Sequence, residues 1–87
     1  MIRYTQGDGT SKSTAIKIVG AKNDWDGVGA EYYLIRRIFQ IIDKKWELLS
    51  QELIHENNRS FDRLVLRDED GKISDIWFDI TDFWGKW

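Results

Sequence analysis

The chain has no cysteine, which excludes disulfide staples and thiolate metal sites and leaves apolar burial as the force that must hold it together. It has no run approaching the roughly 18 consecutive apolar residues that a membrane helix needs. Met1-Ile2-Arg3-Tyr4 passes straight into polar, glycine-bearing sequence without the apolar core of a leader peptide. A cytoplasmic protein with no membrane partner is the expectation. There is also no basic block and no interleaving of arginine with aromatic rings: thirteen basic residues stand against fifteen acidic ones, a formal net charge of −2. A phosphate backbone calls for the opposite balance, so nucleic acid is not an expected partner.

What the chain does have is tryptophan, five of them in 87 residues. Such large amphipathic rings belong in a core, in an interface or in both. A chain this short has room for one domain, residues 1–87, and buries only about 60–65% of its unfolded surface. Its stability is then of the order of 4–13 kcal/mol, so each large buried side chain is a sizeable share of the total.

The order of elements follows from periodicity. Residues 5–14 are small and polar with two glycines, and residues 1–14 read as a loose polar arm. Ala15 to Val19 alternates around Ile16 and Ile18 as a short strand, ended by Gly20. From Val28 the residues Val28, Tyr32, Ile35, Phe39 and Ile42 recur at helical spacing. Asp24 or Asp26 is the candidate N-cap, Glu31 lies toward the positive end of the dipole, and Lys44 and Lys45 lie near the other end. Leu34, Ile38 and Ile41 widen the apolar face, predicting a helix flanked by protein on more than one side. Trp46 to His55 shows period two on both faces, so the strand is either covered on both sides or shifted by a bulge near Leu48-Leu49. Turns at Glu56-Asn57-Asn58-Arg59 and Asp68-Glu69-Asp70-Gly71 separate it from Phe61–Arg67, with Leu64 and Leu66 on one face, and from Ile73–Thr81, with Ile76, Phe78 and Ile80 inward. The fold class is therefore α+β in two layers: one helix on a mostly antiparallel sheet of about four strands, order β-α-β-β-β. One helix covers one face of such a sheet and leaves the other to water or a partner.

Taken together, GDGTS, AIKIVGA, GAEYYL, WELLSQELI, FDRLVL, a DG turn and IWFDITDFWGK resemble a group of small uncharacterised bacterial proteins. The likeness spans nearly the whole chain. Its motifs determine a fold rather than a chemistry, and the resemblance implies one domain and no particular activity. The group's closing segment carries two phenylalanines before Gly-Lys, where this chain has Phe83-Trp84.

Few residues advertise chemistry. GDGTSKST is not a phosphate loop, because Gln6 and Ser11 stand where glycine is required. The acidic groups Asp24/Asp26 and Asp68-Glu69-Asp70-Gly71 do not match a twelve-residue calcium loop, and the second reads as a charged hairpin turn. No metal and no cofactor is expected. His55, beside Glu52 and Glu56, is the one candidate for acid–base work. The remaining feature is the series Asp75, Trp77, Asp79, Asp82, Trp84 and Trp87. Trp77 projects opposite Ile76 and Phe78 and must be covered, either by the chain's own ends or by a partner. The expectation is a non-enzymatic protein-interaction domain in which Trp77, with Trp84 or Trp46, anchors a partner. Asp75, Asp79 and Asp82 would steer a basic one. An immunity- or inhibitor-like role fits by analogy; the alternative is a small hydrolase or metal-assisted enzyme using His55 with Glu52 or Glu56.

Overall fold

Alternating apolar residues in the second half of the chain build three long strands, and the helical repeat before them builds one helix. The computed structural model describes residues 2–5 and 7–84. In chain order the elements are β1 (Arg3–Thr5), β2 (Ile16–Val19), α1 (Asp24–Ile41), β3 (Trp46–Glu56), β4 (Arg59–Asp68) and β5 (Ile73–Asp79). The fold is α+β, as expected, but the sheet has five described strands and the order is β-β-α-β-β-β. They lie side by side as β1-β2-β5-β4-β3. All neighbours are antiparallel except β2 and β5, which run parallel and pair Ile16 with Phe78 and Lys17 with Asp79.

The extra strand comes from the segment expected to be a loose arm. Arg3–Thr5 pairs with Val19–Lys17, and three residues are too few to show a period. The polar loop that follows is also held. The Thr10 amide and hydroxyl donate to Asp8 Oδ1 at 3.0 and 2.8 Å, and the Gly9 amide donates to Thr14 O at 2.8 Å. Gly9 O accepts from the Trp77 amide at 2.8 Å. The short β2 leaves that side of β5 unpaired, so the loop satisfies the orphan donor that a bare sheet edge would expose.

Asn23, not Asp24 or Asp26, caps the helix, its Oδ1 accepting from the Asp26 amide at 2.9 Å. The two aspartates sit in the first turn, where negative charge is favoured. The buried stripe is Gly27, Ala30, Glu31, Ile35 and Phe39, rotated from the one the apolar residues predict. Val28, Ile41 and Ile42 are exposed, so the helix is covered on one side only. The rotation follows from Phe83, which lies so close on Gly27 that an added Cβ would stand 2.0 Å from its Cε1. Helix and sheet together bury Ile18, Ile35, Leu64, Leu66, Phe78 and Phe83 almost completely.

Strand β3 resolves the ambiguity of the Trp46–His55 segment. The pairing with β4 shifts register between Leu48 and Ser50, so a bulge accounts for the change of face. Asn57 and Asn58, both with positive φ (51° and 62°), close the β3–β4 hairpin with the handedness that suits twisted strands. No helix among the described residues is long and apolar enough to cross a membrane.

The two glycines of the helix separate packing from propensity. No atom lies within 4 Å of a Cβ built on Gly29, so Gly29→Ala is expected to gain about 0.5–1 kcal/mol of helix propensity and melt a few degrees higher. Gly27→Ala has the same propensity gain but drives a methyl into Phe83, a cost of about 1–3 kcal/mol, and is expected to melt lower. Thermal denaturation of the pair checks this; a Gly27→Ala protein at or above the wild-type midpoint contradicts the packing described.

Candidate functional site

The segment after β5 turns back over the helix. The Ile80 amide donates to Ser60 O at 2.9 Å, the Ser60 amide donates to Thr81 Oγ1 at 3.0 Å, and the Trp84 amide donates to Ile80 O at 3.0 Å. These bonds insert Phe83 beneath α1 and leave the Trp84 ring at the surface, 42% exposed. Between this segment, the N-terminal half of α1 and the centre of β3 lies a cavity of about 350 Å³, lined by Asp24, Val28, Glu31, Gln51, Leu53, Asp62, Ile80, Phe83 and Trp84.

Two acids form its floor. Glu31 is 1% exposed and Asp62 is 4% exposed. Each falls in the inward series of its element: Glu31 lies between Gly27 and Ile35 on the helix, and Asp62 between Ser60 and Leu64 on β4. Gln51 Nε2 donates to Asp62 Oδ2 at 2.7 Å, while Glu31 Oε2 and Asp62 Oδ1 have no separate donor. Two carboxylates cannot both ionise in such a place. Burial, then the hydrogen bond to Asp62 and its charge, push Glu31 up to about 10. Burial also raises Asp62, against the bonds from Glu31 and Gln51 that favour its ionised form. The pair therefore holds at least one proton near neutrality, carried by Glu31.

The residues singled out from sequence are divided between the two faces of the sheet. Trp46 is on the helix side, stacked on Phe39 with ring centroids 5.8 Å apart. Trp77 is on the reverse face, half-buried under the Arg63 guanidinium at 5.7 Å from its ring centre. Trp84 stands at the cavity mouth with its ring 5.4 Å from that of His55; Trp87 lies outside the described residues. The three aspartates are paired within the chain. Arg63 Nε donates to Asp75 at 2.9 Å, Asp82 lies 3.7 Å from the Lys17 ammonium, and buried Asp79 accepts from Arg59 and from the Thr81 amide and hydroxyl. Burial acts to raise Asp79, but the Thr81 and Arg59 bonds outweigh it and hold its carboxyl below the usual range.

His55 does not meet Glu52 or Glu56. Strand alternation sends it to the helix side, where Nδ1 lies 2.8 Å from the Ser60 hydroxyl, while Glu52 and Glu56 pair with Arg63 and Lys12. The acidic turn is likewise occupied: Asp68 accepts from the Asp70 and Lys72 amides, Glu69 from the Lys45 amide, and Asp70 from Lys44. Among the described residues no three or more of His, Asp and Glu are grouped to hold a metal ion. A larger hollow of about 730 Å³ beside Arg36, Lys44, Lys45 and Trp46 is more open, and its Lys44 and Glu69 are already engaged.

The acid pair was missed because hydrophobic periodicity assigns carboxylates to the solvent face. The available signal was positional, an acid at the inward register of an otherwise apolar series. In the comparisons with known proteins, no family model, no curated protein and no solved structure matches the chain.

Because Glu31 binds its proton more tightly folded than unfolded, its contribution to stability is complete below the ordinary value of 4.5 and is lost as pH rises toward about 10. Wild-type unfolding free energy is therefore expected to fall between pH 5 and pH 9. Glu31→Gln, which keeps a donor toward Asp62 and cannot ionise, flattens that slope. Denaturant titrations across the range check this, and parallel slopes for the two proteins would disprove a shared proton.

Proposed function

We propose that the chain is a non-enzymatic protein-interaction domain that docks a partner along β3 and the rim of Trp84, Leu53 and Val28. The observation that carries this reading is the exposure of apolar side chains on a long edge strand. β3 has eleven residues, a free edge, and Leu48, Leu49 and Leu53 at 36–42% exposure. Edge strands are ordinarily protected by lysine, proline or shortness. This one carries no lysine and no proline, and only the bulge after Leu48 interrupts it. An extended segment adding to it would gain main-chain hydrogen bonds from the edge and side-chain contacts from the leucines.

The acids of β3 are engaged within the chain, Glu47 by Arg67, Glu52 by Arg63 and Glu56 by Lys12, so the docking rim offers mainly apolar contact and a basic partner is not specially favoured. Of the anchors expected from sequence, Trp84 is favoured over Trp77 and Trp46 because its ring remains open while theirs lie against Arg63 and Phe39. Asp75, Asp79 and Asp82 are engaged by internal cations and contribute less to steering than their number suggests.

A partner captured from the source cell and purified is expected to bind Leu53→Arg and Trp84→Ala at least tenfold more weakly, since central anchors are worth about 2 kcal/mol or more. The same variants are expected to unfold within about 1 kcal/mol of wild type, as partly exposed positions do, and Trp77→Ala should retain binding. Calorimetric titration makes the comparison; undiminished binding by Leu53→Arg ends the docking reading.

A further inference from the structure

We propose that the cavity between α1 and β3 is a binding site for an organic cation, an ammonium or guanidinium group carried on an apolar stem. Two independent features meet there. Just beneath its floor lie Glu31 Oε2 and Asp62 Oδ1, both closed to solvent and without a separate donor, while Gln51 holds the second Asp62 oxygen and so fixes that carboxyl's orientation. Its walls are Val28, Leu53, Ile80, Phe83 and Trp84. A head that donates N–H bonds to two acid oxygens and a stem that replaces water against five apolar side chains fit together in a single ligand.

The volume of about 350 Å³ lies at the lower end of the range for small-molecule pockets, and suits a body the size of a lysine side chain or a phenylethyl group. Other ligand classes fit less well. An anion would face two acids with no basic group in the lining, and a hard divalent ion needs six or more oxygens where the walls offer mostly carbon. An apolar molecule would match the walls but make no use of the two acids, whose shared proton would stay in place. Within the chain alone, a proton bridging the two oxygens is the available remedy. An ammonium, with three donors and a full charge, takes the place of that proton, which passes to solvent, and satisfies both oxygens.

This site does not depend on β3 being a docking edge. The cation can be free, or it can be the lysine or arginine of a bound protein, and the two sources are separable. Isotope-labelled protein is titrated with phenethylammonium chloride, with acetyl-Ala-Lys-Ala-amide and acetyl-Ala-Arg-Ala-amide, and with 2-phenylethanol as the uncharged control. Amide shifts confined to residues 28–31, 51–53, 62 and 80–84 are expected with a cation and not with the alcohol. A response to the free amine assigns a free cation, and a response to the peptides alone assigns a partner's side chain. Glu31→Gln and Asp62→Asn, checked as folded by circular dichroism, are expected to weaken binding at least tenfold. The proposal is overturned if no cation shifts those residues at 10 mM, if the alcohol binds equally well, or if the variants bind like wild type. The Leu53→Arg partner test can fail without touching these outcomes, and these can fail without touching it.

Discussion

A single helix cannot roof a five-stranded sheet. A helix is about 10 Å across, whereas strands stand about 4.8 Å apart, so α1 covers the middle of the sheet and leaves its margins open. Ile18, Leu64, Leu66 and Phe78, from β2, β4 and β5, lie under that cover and are sealed. β3 lies at the overhang, and its leucines are wet for that reason. The reverse face has no helix over it and is built otherwise: Lys12 of the N-terminal loop pairs with Glu56 beside Phe61, Arg67 bonds Glu47, Arg63 reaches Glu52 and Asp75, and Arg59 holds Asp79. These guanidiniums also lie over Phe61 and Trp77, so the aromatic rings on that side are shielded by stems and planar cations rather than by a second layer.

The same geometry explains the acid pair. Where the helix leaves β3, Phe83 and Trp84 fill only part of the wedge, and the remaining space is floored by Glu31 and Asp62. Apolar residues at those two positions would continue the stripes on either side of them. A buried Glu31 whose carboxyl is pushed up in this way weakens the fold progressively as the solution becomes alkaline. Leu53 belongs to the open edge of β3 and also lines the cavity, so the proposed docking edge and the proposed cation site adjoin.

Much of this architecture was legible in the residues. The alternation of Leu64 and Leu66, and of Ile76, Phe78 and Ile80, placed the inward faces of β4 and β5 correctly, and the mismatched periods of Trp46–His55 required either two-sided cover or the bulge now located at Leu48/Ser50. What was not legible has specific causes. Arg3–Thr5 is too short to be periodic and becomes a strand only because β2 offers it an edge. The buried side of α1 passes through Gly27 and Glu31, one with no side chain and the other with a charged one, so counting apolar residues turned the helix toward Val28 and Ile42. Ion pairing of Asp75, Asp79 and Asp82 depends on cations from β2 and β4, and no linear pattern joins those positions.

The parallel contact of β2 with β5 has a temporal consequence. Ile16 and Phe78 are about sixty residues apart along the chain yet adjacent in the sheet. β2 cannot complete its pairing without β5, which lies that far down the chain. The β3–β4–β5 meander can assemble from near neighbours, so the slow step of folding is closure of the largest loop, when the early hairpin of β1 and β2 joins a ribbon made after it.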